Sequence, residues 1–168
     1  MENIIKFYSK SKQARCLSNF ADIEVKIDNT HYQTGEHAYH AMKYKCAAKY
    51  ATSDDRKQLL LEYSKNFEKG EKYDTPQEAK KAGGKKGFPL EDHEREKWNK
   101  ESIDIQKEIC IYKYKHSSDV KKIIDSSKKS YLLHQDNRAT QNTIWGGRID
   151  SKTNELIGQN KLGLHHFQ

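Results

Sequence analysis

Three titratable residues recur at helical spacing in the stretch TGEHAYHAMKYK (34–45): Glu36, His40 and Lys43. At about 100° per residue, positions i, i+4 and i+7 fall within about 60° of one another, so a helix carries them on one stripe. Ala38, Met42 and Cys46 are read as the adjacent apolar stripe. That places the three polar groups at the border of the buried face, where a cleft floor would lie. Helical side chains lean toward the N-terminus, so Lys43 is expected to reach back toward Glu36. A lysine partly desolvated at such an edge has a lowered pKa and can attack an electrophilic carbon as a free amine. A nearby carboxylate can move the protons. The plain alternative is a helix-capping acid beside a solvated lysine.

Other residues carry more divided signals. Trp98 and Trp145 are either core side chains or flat faces for stacking on a base. Gly146-Gly147 lets backbone approach a ligand closely, and Arg148 can pair with a phosphate. Asn19 and Asn160 can bond ribose hydroxyls or cap turns. The histidines at 37, 40, 134, 165 and 166 raise a metal reading. EHAYH, however, has its histidines three apart and its acid first, unlike H-E-x-x-H, so no metal is expected. Lys80, Lys81, Lys85 and Lys86 with Gly83, Gly84 and Gly87 form a basic loop, either simply solvated or tracking a nucleic-acid or pyrophosphate backbone.

The elements that must position these groups read as one mostly helical α+β domain over residues 1–168 with a small sheet or hairpin. IIKFYS (4–9) predicts a first strand, and residues 23–34 a hairpin turning at Asp28-Asn29. Thr34 caps the helix that holds the opening motif. Ser53-Asp54-Asp55 starts a second helix, with Leu59, Leu60 and Tyr63 as its apolar contacts. TPQE (75–78) is a capping box with proline at the first helical position, and that helix stops at Gly83-Gly84. A long helix is expected over about 91–116 and another from Ser118. YLLH (131–134) reads as a buried strand, QDNRATQN as a polar loop, IWGGRID as a strand or tight turn, and 158–168 as a short terminal helix.

A net charge of +7 fits an anionic partner, although it also fits solubility alone. An aromatic share of 10% argues for a packed core despite 33% charged residues. Three cysteines without C-x-x-C spacing argue against a disulfide framework and a zinc site. With no signal-peptide pattern and no apolar run near 20 residues, a cytoplasmic protein without membrane contact is expected.

FYS, LSNF, TGEHAYHAMKYK, TPQEAKKAG, Trp98, LLH, IWGG and GQNKLG stand in one order. Together they resemble the NADAR (YbiA-like) family, from about residue 6 to 164. The resemblance implies a compact α+β enzyme that hydrolyses N-glycosidic bonds of phosphorylated ribosyl compounds without a cofactor. Two substrate classes follow from it: ADP-ribose on guanine bases of nucleic acid, and pyrimidine ribosyl-phosphate intermediates of riboflavin synthesis. The basic balance favours the first, with ADP-ribosylated DNA or nucleotide as partner and free ADP-ribose as product. A non-catalytic ADP-ribose-binding module is the reading from another class.

Carried onto this chain, the resemblance makes Glu36 and Lys43 the catalytic pair, with a Schiff base on the lysine as one route and direct attack by water as another. Substrate contacts fall to Asn19, Phe20, His40, Trp98, His134, Asp136, Asn142, Trp145, Gly146, Gly147, Arg148 and Asn160. The chain departs from the pattern at His40, where glutamine is common, at His134, near a usual glutamate, and at Asn142, where an aspartate is common. Asp136 is the available substitute for that missing carboxylate.

Overall fold

The computed structural model describes residues 3–7, 14–126 and 130–165. Along them run β1 (Asn3–Phe7), a 3-10 turn (Arg15–Leu17), β2 (Val25–Ile27), β3 (Thr30–Tyr32), α1 (Gly35–Lys49), α2 (Asp54–Lys65), α3 (Pro76–Ala82), α4 (Asp92–His116), α5 (Ser118–Ser126), β4 (Ser130–His134), β5 (Arg148–Ile149), β6 (Leu156–Ile157) and α6 (Lys161–His165). The α+β, mostly helical expectation is met. The chain divides into two units, Asp22–Ile109 and the remainder, which joins residues up to Ala21 with those from Cys110 onward.

In the Asp22–Ile109 unit, Asp28 and Asn29 both take the left-handed conformation, with φ of 49° and 64°. Short polar side chains tolerate it, and a two-residue hairpin turn requires it. Thr34 Oγ1 then accepts from His37 N at 3.3 Å and starts α1 as read. The most buried stripe of α1 is His37, Ala41, Tyr44 and Ala48, at i, i+4, i+7 and i+11. That stripe borders the polar one on one side, and Ala38, Met42 and Cys46 border it on the other. Ala38 and Cys46 are buried on another side and Met42 is half-buried, so α1 is enclosed over most of its circumference.

Ser53 caps α2 through its bond from Arg56 N. Leu60 is fully buried, but Leu59 is 52% exposed. One residue turns the helix by about 100°, enough to carry Leu59 to water and correct its reading as a core contact. Arg56 reaches Glu94 of α4 with two nitrogens, at 2.7 and 3.2 Å. The carboxylate of Glu94 is wholly inaccessible, so this paired, planar bond pins the two helices. At α3, Thr75 Oγ1 accepts from Glu78 N and Glu78 Oε2 accepts from Thr75 N, the reciprocal cap expected from TPQE.

In the other unit, β1 and β4 pair in parallel, from Asn3 opposite Ser130 to Phe7 opposite His134. Phe7, Leu132 and Leu133 are fully buried. The expected first strand ends at Phe7, and its last two residues, Tyr8 and Ser9, lie outside the described residues. β5 and β6 form a short hairpin. The sequence reading has no counterpart to β6, because two residues give no periodicity to read. No helix among the described residues is long and apolar enough to cross a membrane.

Candidate functional site

α1 presents Glu36, His40 and Lys43 on one side, as their spacing requires. His40 is 8% exposed, and its Nε2 donates to Glu36 Oε1 at 2.8 Å. The bond orients a carboxylate whose own side chain is only 13% exposed. His40 Nδ1 has no hydrogen-bond partner among the described residues. It lies against Gly83, where an added Cβ would stand 2.0 Å from that nitrogen. Only glycine leaves room for the imidazole there.

Lys43 does not reach Glu36. Its Nζ donates to Gly83 O at 2.7 Å. The cause is the C-terminus of α3, whose last carbonyls lack helical partners and attract a cation. Burial lowers the Lys43 pKa below the ordinary lysine value, and the positive charge of Arg95 adds to the effect. The group is half-buried, and its neutral amine is therefore more accessible at neutral pH than that of a surface lysine. The same turn is held by Tyr63, whose hydroxyl donates to Ala82 O at 2.7 Å. Tyr44 donates to Phe88 O at 2.9 Å and is fully buried, which pushes its phenol pKa up.

Trp98 belongs to this unit but is 4% exposed, with its ring edge-on to Tyr39 at 5.1 Å. Of the two readings its type allowed, the burial matches the core side chain. His37 is also spoken for, since Nδ1 meets Thr34 Oγ1 at 2.7 Å and Nε2 meets the Tyr73 carbonyl at 2.8 Å. Neither nitrogen is left for a metal.

The remaining sequence candidates lie in the other unit, most of them around the end of β4. The Asn160 side chain is fully buried, with Oδ1 accepting from His134 N at 2.9 Å and Nδ2 donating to Leu132 O at 2.8 Å. Its amide bonds two backbone groups of β4, so Asn160 pins that strand to the start of α6. His134 Nδ1 meets Trp145 O at 3.3 Å, and the ring stacks on Phe7. Gly146 and Gly147 are buried, with added Cβ atoms 2.8 Å from His134 O and Ile157 O respectively. Their close approach is to the protein's own strands. Asp136 Oδ1 accepts from Arg138 N at 2.9 Å, and Arg148 Nε donates to Ala139 O at 3.1 Å. Trp145 is half-buried and Asn142 lies on an exposed turn. Asn19 and Phe20 sit in the turn after the 3-10 segment, where Phe20 N donates to Ser18 Oγ at 3.1 Å.

The residue that sequence reasoning missed is Gly83. Its position one turn after a capping box marks a helix end, but its two tasks, a carbonyl for Lys43 and space for His40, arise only from packing.

No curated protein matched the chain. Among solved structures, the chain is similar to the E. coli protein YbiA, determined by NMR, with a TM-score of 0.62 and 20% identity over 99% of this chain and 82% of that one. The NADAR domain matches residues 6–165. With nearly its whole length matched, the chain belongs to the NADAR family, whose general chemistry is N-glycosidase-type hydrolysis.

Proposed function

We propose that the protein removes ADP-ribose from guanine bases of nucleic acid by cleaving the N-glycosidic bond. The observation that carries the reading is Lys43, a half-buried amine of lowered pKa fixed on Gly83 O, on the same helical stripe as the oriented carboxylate of Glu36. As a free amine, Lys43 Nζ forms a bond to the anomeric carbon while the bond from that carbon to the guanine nitrogen breaks. Glu36 delivers the proton that the departing base takes up. Glu36 then takes a proton from the substituted amine and passes it to the ring oxygen as the C–O bond of the sugar ring opens, leaving an iminium on Nζ. Water adds to the iminium carbon and the C–Nζ bond breaks, one water proton going to Nζ and the other to Glu36, and ADP-ribose leaves with the amine restored. Every step uses side chains of the chain itself, and no cofactor enters. The net charge of +7 supports a nucleic-acid substrate over a small ribosyl phosphate.

The test is incubation with guanine-ADP-ribosylated DNA, followed by chromatography for free ADP-ribose and mass measurement of the DNA. Release of ADP-ribose with restored guanine is expected. An intact modified strand alongside turnover of a pyrimidine ribosyl phosphate would transfer the chemistry to the riboflavin-type substrate.

A further inference from the structure

The Asp22–Ile109 unit contains a concavity of about 390 Å³ beside the turn that follows α3. It is lined by Tyr63, Lys72, Tyr73, Glu78, Lys81 and Lys86, with the turn itself. The three lysines come from separate places: the loop before α3, its last turn, and the loop after it. None of their ammonium groups makes an ion pair or hydrogen bond among the described residues. Lys81 alone would be explained by the helix dipole, which favours cations at a C-terminus. Lys72 and Lys86 lie outside the helix, so the dipole does not account for their convergence.

The one carboxylate in the wall is already occupied. Glu78 Oε2 accepts from Asp74 N and Thr75 N at 2.9 and 3.2 Å. The two tyrosines are held rigid: the Tyr63 hydroxyl bonds Ala82 O, and the Tyr73 ring packs on Phe67 at 4.9 Å. Three cations without a carboxylate partner, one of them, Lys72, lying over the Tyr73 ring at 5.7 Å, match a phosphate-bearing strand.

We propose that this concavity is a subsite for the phosphodiester backbone of single-stranded nucleic acid flanking the modified base. The inference rests on the nucleic-acid reading above. Lys81 and Lys86 flank Ala82 and Gly83 in sequence, so a phosphate held between them would brace the segment whose carbonyl holds Lys43. The other source of phosphate is the pyrophosphate of ADP-ribose itself, and the two differ in what the lysines would change.

The experiment measures binding of an unmodified single-stranded oligonucleotide between 50 and 200 mM salt by fluorescence anisotropy. A variant combining Lys72→Gln, Lys81→Gln and Lys86→Gln is compared with a charge-matched control of Lys26→Gln, Lys57→Gln and Lys100→Gln. Each phosphate contact contributes a slope of about 0.7 in log affinity against log salt for single strands. The pocket variant should flatten the slope by about 2, the control should leave it nearly unchanged, and affinity for free ADP-ribose should stay the same in both. An unchanged slope in the pocket variant, or equal flattening in the two variants, overturns the proposal. So does a loss confined to ADP-ribose, which would give the pocket to the pyrophosphate. ADP-ribose release from modified DNA is followed in parallel. A wild-type protein that shows the lysine-dependent slope but releases nothing supports the subsite while refuting the proposed reaction.

Discussion

Lys43 and Lys113 are lysines of the two units, and each ammonium donates to one backbone carbonyl, Gly83 O at 2.7 Å and Ser18 O at 2.9 Å. Burial lowers both pKa values, and it takes Lys113 down to about 8. By titration alone Lys113 would be the stronger candidate nucleophile. It is 1% exposed, however, and packed where no substrate carbon can approach. Lys43 is half-buried and shares a helical stripe with a carboxylate. A depressed pKa marks desolvation, and desolvation is as often structural as catalytic. Access and a neighbouring acid separate the two cases.

The polar groups of the two units differ in the same way, and Asn160→Ala breaks that contrast most severely. Two buried backbone groups, His134 N and Leu132 O, lose their partner at once. At about 1–3 kcal/mol each, the variant should lose about 4 kcal/mol of stability by urea denaturation. Whatever folds should keep its turnover number. A stable but inactive variant would return Asn160 to the substrate.

Lys113→Met comes next. The folded pKa of about 8 lies below the ordinary lysine value of 10.5. Folding therefore sheds a proton between those values, and stability gains from this group as pH rises from about 8 to 10.5. Below pH 8 the buried charge costs the wild type about 3 kcal/mol through this linkage. The stability advantage of the methionine variant should be greatest at pH 7 and shrink by about that amount by pH 10.5. Denaturation curves at pH 7, 8.5 and 10 measure it. A difference that does not vary with pH would show that Lys113 keeps the ordinary lysine pKa and its charge in the folded protein.

Much of this architecture was legible locally. Thr75, Pro76 and Glu78 lie within one turn of chain, and so do Asp28 and Asn29, so their hydrogen bonds and dihedrals follow from neighbours alone. The stripe of Glu36, His40 and Lys43 follows from helical geometry. Partners distant in sequence did not follow. Lys43 finds Gly83 forty residues away, and Asn160 finds Leu132 twenty-eight residues away. Residue type announced that Asn160 would bond something, but only packing decided that it would be backbone. Trp98 went the same way, drawn into the interior against Tyr39.

Glu36→Gln gives a slightly smaller effect. It keeps the shape beside His40 and removes the charge, so substrate binding should persist while kcat falls by about 100-fold, just under 3 kcal/mol. A fall of less than about threefold would demote Glu36 to a helix-terminus acid.

The central claim is that Lys43 reacts with the sugar. It is tested most directly by adding borohydride during turnover of ADP-ribosylated DNA and locating any adduct by peptide mass spectrometry. The wild type should carry a reduced ribosyl adduct on Lys43. Lys43→Ala should fold with a loss of about 1 kcal/mol, form no adduct and release no ADP-ribose. A folded Lys43→Ala variant that still turns over would contradict the account.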